Sequence, residues 1–219
     1  MCRMIAFSSR EDIDVQPYLD HLIWMASKGK RAPHPHGWGY FLMDSSGFVS
    51  IVRSRNPIYD DQPRTDLKAR IGLLHARKAS KGTIIDADRT HPYVLYDGKI
   101  HVLIHNGGIE DGYDSPSTGV DTEYILRTIV KRGVKDAYCE LSKLRASSLT
   151  FIYFDGDSMY VLKHRTKLPD YYTLFYKTDN GVFVISSEPI EDGWKEMENG
   201  ELLVVKDGGI IEGSVIGCT

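Results

Sequence analysis

Only three cysteines occur in the 219 residues, at positions 2, 139 and 218. Their number is odd and their spacings long, and no CxxC or zinc-type Cys/His pattern is present. That argues against both a disulfide framework and a structural metal. Cys139 is expected in a helix as a core or half-buried residue, and Cys218, beside the terminus, as an exposed and uninvolved thiol. Neither sign of charge is in excess: a net charge of -3 leaves no electrostatic footprint for nucleic acid or an anionic membrane. No apolar run is long enough to cross a bilayer. The N-terminus lacks the basic stretch, apolar run and small-residue cleavage site of a secretory signal, so a cytoplasmic protein is expected. No phosphate-cradling loop appears, because Gly37-Trp38-Gly39 lacks both the third glycine and a βαβ setting. No cofactor is therefore expected. Repeats, low-complexity tracts and long linkers are missing too, which makes one domain over 1–219 the simplest organisation.

What the chain does have is an ordinary globular composition and a strand-rich pattern. Apolar residues make up 42%, enough for a substantial core. Alternation predicts a strand over 3–8. A helix is predicted over 17–28, with Leu19, Leu22, Ile23 and Ala26 on one stripe and Gly29 and Lys30 as its stop. Segments 39–43 and 48–53 flank Asp44-Ser45-Ser46-Gly47 and predict a hairpin. A short helix is expected over 63–70, and buried strands over 71–76 and 100–105. Two further helices are predicted over 121–132, with Tyr124, Ile125, Ile129 and Val130 inward, and over 136–144. Strands then dominate over 149–154, 159–163, 172–176, 182–186 and 202–205, followed by a short last strand. Turn signals at Asp155-Gly156-Asp157, Asp179-Asn180-Gly181 and Asp207-Gly208-Gly209 separate them. Antiparallel meanders with grouped helices predict an α+β sandwich rather than alternating βαβ units.

Cys2 carries the most chemistry. Methionine aminopeptidases remove Met1 when a small residue follows, which would leave Cys2 with a thiol and a free α-amine. The thiol can attack a carbonyl carbon, and the amine, with a pKa near 8, can take and return the proton. A small second residue is also commonplace without function. Other segments are equally two-sided when taken alone. His105-Asn106-Gly107-Gly108 ends an apolar run and reads either as a tight turn or as an oxyanion hole, made by the Asn amide and a Gly N–H. Arg77 is either a solvated charge or a carboxylate clamp at the end of a buried strand, with Ser80 and Lys81 following on a loop. Asp121 is either a first-turn acid of a helix or a partner for a substrate ammonium. Pro35-His36-Gly37-Trp38-Gly39-Tyr40 is either a bulged start of a strand or a wall beside the nucleophile. Thr90-His91-Pro92-Tyr93 and Ser186-Ser187-Glu188-Pro189 are loop elements of the same ambiguity. Nothing around any of the eight histidines resembles a cysteine-protease signature.

In order along the chain, Cys2, His36-Gly37-Trp38-Gly39, His75-Ala76-Arg77, Thr90-His91-Pro92, His105-Asn106-Gly107-Gly108 and Asp121-Thr122-Glu123 resemble the glutaminase domain of class II glutamine amidotransferases. These are N-terminal-nucleophile (Ntn) enzymes. Ser187-Glu188-Pro189 resembles the short, stand-alone branch of the family. The resemblance implies a four-layer αββα sandwich of two antiparallel sheets. It implies Cys2 as nucleophile and its α-amine as general base, with Asn106 and the Gly107 N–H holding the oxyanion. It further implies that Arg77 binds the substrate α-carboxylate and Asp121 its α-ammonium, with Ser80, His91 and Gly37 completing the substrate-binding set. The implied substrate is glutamine or a γ-glutamyl amide, hydrolysed through a thioester. Lys78 departs from the larger synthases, which commonly carry an aromatic residue there. No synthase domain follows, so either a separate subunit accepts ammonia or the amide is simply hydrolysed. Two alternatives stand beside this reading: an Ntn amidohydrolase of a non-glutamyl amide, and a non-catalytic glutamine-binding or regulatory subunit.

Overall fold

The computed structural model of the protein describes residues 2–80, 82–114 and 119–218. Met1 and Lys81 lie outside the described residues. The chain runs β1 (Arg3–Asp14), α1 (Gln16–Lys28), β2 (Trp38–Met43), β3 (Val49–Ser54), α2 (Ile58–Asp61), β4 (Lys68–Ala76), β5 (Tyr93–Tyr96) and β6 (Ile100–Ile109). It continues through α3 (Asp121–Arg132), α4 (Val134–Leu141), β7 (Ala146–Phe154), β8 (Met159–Leu162), β9 (Phe175–Asp179), β10 (Val182–Ser186), β11 (Lys195–Glu196), β12 (Glu201–Lys206) and β13 (Gly209–Val215).

Two antiparallel sheets result. One has the order β11-β9-β10-β1-β4-β2-β3, the other β13-β12-β8-β7-β6-β5. β1 lies near the middle of the first sheet and is buried from Arg3 to Ser9, which is why Met4 to Phe7 form an uninterrupted apolar run. Its two faces still alternate. Met4 and Ala6 point between the sheets, where they pack with Phe41, Leu73, Ile104, Ile152 and Phe154. Ile5 and Phe7 point outward and pack with Leu19, Leu22 and Met25 of α1. On the far side Ile125, Leu126 and Ile129 of α3 and Ala137 and Leu141 of α4 cover Leu103, Phe151 and Tyr153 of the second sheet. Helix, sheet, sheet and helices therefore make the expected αββα sandwich.

The local signals mostly landed where they were read. Asn180-Gly181 and Asp207-Gly208 each place two residues at positive φ, as a two-residue hairpin turn demands. The exceptions come from tertiary pairing. No helix forms over 63–70: Lys68 already belongs to β4, whose register runs along β1 from Asp14 to Arg3. Sheet pairing with buried Ala69, Ile71 and Leu73 overrides a weak helical period. β9 starts at Phe175 rather than 172, because Tyr171 and Tyr172 are packed into the core on the loop before it. The helix expected from 136 starts at Val134, directly after Gly133, whose φ of 79° ends α3.

One expectation is overturned. Cys139 and Cys218 form a disulfide, with their Cα atoms 5.3 Å apart. Cys218 is therefore not a free thiol. A separation of 79 residues carries no local signature, so only the folding-back of the C-terminus onto α4 brings the pair together. Closing so long a loop restricts the unfolded chain and stabilises by about 4 kcal/mol in the chain-entropy account. Reduction, or Cys139→Ser, should lower the melting midpoint by roughly 5–15 °C in a thermal scan; an unchanged midpoint would contradict the bridge.

Candidate active site

The first residue of β1, the C-terminal end of β4 and the C-terminal half of β6 converge at one end of the sandwich. Arg3 is paired with Ala76, so Cys2, His75 and Arg77 share the inner face by alternation. In β6 the same alternation that points Ile104 between the sheets brings Asn106 to that side. The His105-Asn106-Gly107-Gly108 run is thus a continuation of the strand paired to β7, and its reading as a hairpin turn is excluded.

The Cys2 backbone N–H donates to Asn106 Oδ1 at 2.7 Å. This fixes the carboxamide with its nitrogen turned away, and Asn106 Nδ2 is buried without a partner among the described residues. Buried donors are rarely left so, because desolvation costs about 1–3 kcal/mol. Gly107 follows because nothing larger fits: a Cβ there would lie 1.9 Å from the Ser148 carbonyl oxygen.

Beside the thiol lies a buried histidine cluster. The His75 and His91 rings stack with centroids 3.9 Å apart. His75 Nε2 lies 3.2 Å from the His105 carbonyl oxygen. Thr122 Oγ1 lies 2.9 Å from His91 Nε2 and 3.3 Å from His105 Nδ1. Burial, reinforced by the charges of His75, His105 and Arg77, holds His91 neutral, with its pKa well below the ordinary value. Burial on its own would raise the Cys2 thiol. The positive chain terminus, the charge and hydrogen bond of His75 and the Lys78 backbone outweigh it, and pull the thiol from 9.0 to about 5.

Arg77 is positioned through its backbone. Its N–H donates to the Gly37 carbonyl at 2.8 Å, and its carbonyl accepts the His36 N–H at 3.1 Å. Gly37 has φ 110°, and a Cβ there would sit 2.7 Å from both Ser54 O and Thr90 Oγ1. Its role is therefore in the backbone behind Arg77. Asp121 opens α3, and its Oδ2 accepts the Ile109 N–H at 2.8 Å. Lys78 donates from Nζ to the Arg31 carbonyl at 2.6 Å.

A cavity of about 210 Å³ joins these groups; Cys2, Arg77, Ser80, His91, Gly107 and Asp121 all line it. Of the residues expected from sequence, Asn106 sits behind Cys2, and Gly37 does not reach the cavity. Among the described residues no group of three metal-ligating side chains is assembled. His75, His105 and Thr122 were not selected from the sequence as site residues. The signal was there, since each lies within two residues of a selected one: His75 near Arg77, His105 beside Asn106, Thr122 beside Asp121.

Ser187-Glu188-Pro189 acquires a role away from the cavity. Ser187 Oγ accepts the Met4 N–H at 3.0 Å, and the Ser187 N–H donates to the Met4 carbonyl at 2.9 Å. Glu188 Oε1 meets Arg3 Nε at 2.8 Å as an ion pair, without hydrogen-bond alignment. Removing one partner of such a buried pair costs about 3–5 kcal/mol.

A family model for class II glutamine amidotransferases matches residues 1–152. The chain belongs to that family. An uncharacterised protein of Methanocaldococcus jannaschii is 27% identical over 96% of the chain and 71% of its own length. Solved structures share the fold. The enzyme described as the allosteric regulatory enzyme of purine biosynthesis matches all of this chain and 50% of its own, with a TM-score of 0.73 at 17% identity. The glutamine phosphoribosylpyrophosphate amidotransferase of B. subtilis, complexed with ADP and GMP, matches 100% of this chain and 50% of its own, with a TM-score of 0.69 at 16% identity. A predicted glutamine amidotransferase of Pseudomonas aeruginosa matches over 96% of this chain and 100% of its own, with a TM-score of 0.64 at 17% identity. The amidotransferase domain described here thus spans about half the length of the first two.

With Cys139 and Cys218 bridged, Cys2 is the free thiol of this amidotransferase. Iodoacetamide should alkylate it half-maximally near pH 5, because the thiolate persists at every pH above its lowered pKa. A midpoint near 9 by mass spectrometry would contradict the proposed electrostatics.

Proposed function

We propose that the protein hydrolyses the γ-carboxamide of glutamine or of a γ-glutamyl amide through a Cys2 thioester, releasing ammonia or an amine and then glutamate. The observation that carries this reading is the unpartnered Asn106 Nδ2 beside the nucleophile. A buried donor held in place by its own oxygen suits a charge that exists only during the reaction.

The reading requires Met1 to be removed, so that the Cys2 amine is free. With the thiol lowered and a terminal amine near 8, the proton rests on the amine and the thiolate is ready. The thiolate attacks the carboxamide carbon, and the oxyanion is held by Asn106 Nδ2 and the Gly107 N–H. As the C–N bond breaks, the ammonium gives its proton to the leaving nitrogen. The amine then takes a proton from water, whose oxygen attacks the thioester, and the proton returns to the departing thiolate or stays on the amine. Arg77 pairs with the substrate α-carboxylate, and Asp121, through the oxygen not bonded to Ile109, with its α-ammonium. Ser80 and His91 add contacts along the cavity, and Gly37 acts by seating Arg77.

The same reading takes 1–219 as one catalytic domain in the cytoplasm, with ammonia either released or passed to a separate synthase subunit. The Cys139–Cys218 bridge sits uneasily with the cytoplasm, where disulfides are rare outside hyperthermophiles.

Intact-mass analysis should show a chain beginning at Cys2; a retained Met1 rules out the amine-assisted route. Cys2→Ala should abolish glutamate release from a panel of glutamine and γ-glutamyl dipeptides. Asn106→Ala should lower kcat about 100-fold, the worth of one oxyanion donor. Arg77→Ala should remove most kcat/KM for glutamyl substrates, whereas an enzyme for an uncharged acyl group would be indifferent to it.

A further inference from the structure

The proposed reaction demands more of Cys2 than an ionised thiol. Once Met1 has left, the residue is attached to the fold only through its carbonyl carbon. Rotation about the Cα–C bond would carry amine and thiol together out of register with Asn106. The Asn106 bond stops that rotation, but its axis is set by the Cys2–Arg3 peptide plane, which a hold on the Cys2 carbonyl fixes. The Tyr171 hydroxyl donates to it at 3.2 Å.

Tyr171 is not a casual neighbour. Its side chain is fully buried on the loop before β9. The Arg3 guanidinium lies over its ring at 4.3 Å, and Arg3 is itself held by Glu188. His34 Nε2 lies 2.7 Å from the hydroxyl. The His34 Nδ1 contact to the Ala26 carbonyl is long, at 3.4 Å, and that carbonyl already accepts the His34 N–H at 2.9 Å. With the ring proton on Nε2, His34 donates to the Tyr171 oxygen and the hydroxyl proton is free for Cys2; that tautomer is the one the role below requires. Burial, with the Arg3 charge beside it, keeps His34 neutral, pulling it to about 3, and burial pushes Tyr171 upward, so neither link changes charge near neutrality.

We propose that Tyr171, oriented by His34 and braced by the Arg3–Glu188 pair, is a positioning residue that holds the Cys2 carbonyl so that the terminal amine and thiol stay aligned on Asn106. Cys2 is then held at both ends: its nitrogen by Asn106 at 2.7 Å and its carbonyl oxygen by Tyr171 at 3.2 Å. This role rests on the nucleophilic reading of Cys2. Tyr171 touches no substrate atom and acts only through the nucleophile. The Ser187-Glu188-Pro189 segment, which does not reach the cavity, is thereby tied to the reaction through Arg3.

The test is Tyr171→Phe in processed, disulfide-intact protein. The ring and its stacking on Arg3 survive, and one oxygen is lost. The expected result is a kcat about tenfold lower with KM within about twofold, because alignment of the nucleophile changes and the substrate contacts do not. Alkylation of Cys2 by iodoacetamide at pH 5 should slow several-fold in the same variant, while the melting midpoint stays near that of the wild type. His34→Gln, which disturbs the hydroxyl's orientation without touching Tyr171, should move both readouts in the same direction. Wild-type kcat and alkylation in both variants would overturn the proposal, as would a loss confined to KM or to the melting midpoint. If the wild-type protein itself releases no glutamate from glutamine or γ-glutamyl dipeptides, the proposed function fails. The alkylation rates still decide whether Tyr171 positions Cys2.

Discussion

The hydrogen bond from the Cys2 nitrogen to Asn106 Oδ1 joins the edge of one sheet's inner face to the other. Everything at the cavity depends on that junction. It can form only if β1 and β6 end at the same height, which their separate registers with β4 and β7 enforce. It also settles which way the Asn106 carboxamide faces, and so which of its atoms is left over. A sandwich of two sheets is well suited to this: each sheet is stiff, and the relative height of the two is fixed by interlocking side chains such as Met4, Phe41, Ile104 and Phe154.

Around this junction the fold concentrates buried polar groups that would otherwise be a liability. His75, His91, His105, Thr122, Asn106 and Arg77 are all buried at one end of an apolar sandwich. Most are satisfied by carbonyl oxygens or by each other, and His91 Nδ1 and Asn106 Nδ2 are without hydrogen-bond partners among the described residues. The opposite outer layers, α1 on one side and α3 with α4 on the other, supply the apolar burial that offsets this arrangement.

Much of this was legible in the sequence because the signals were local. The alternation at 3–8, the stripe of Leu19, Leu22 and Ala26 and the Asn180-Gly181 turn each depend on near neighbours. Cys2, Arg77 and Asp121 stood out for the same reason: each sits at the end of an element, where strands and helices present side chains to a cavity. What was hidden depended on partners far along the chain. The extension of β1 to Asp14 past a bulge, the conversion of 68–70 into strand and the Cys139–Cys218 bridge are decided by pairing, not propensity. Gly37 lies behind Arg77 and not on the cavity, and a glycine needed for backbone packing and one needed for substrate approach look alike in a sequence.

The bridge has a consequence for the molecule's outer rim. β13 is an edge strand with an open row of backbone groups, and Ile211 and Val215 on it are exposed. Such an edge is a template for pairing with another chain. Three residues beyond it, Cys218 is tied to α4, so the strand is stitched down at its free end like a hem. Cutting that stitch would leave a ribbon able to peel off and be exchanged between copies, so that the disulfide guards this edge as well as the fold's stability.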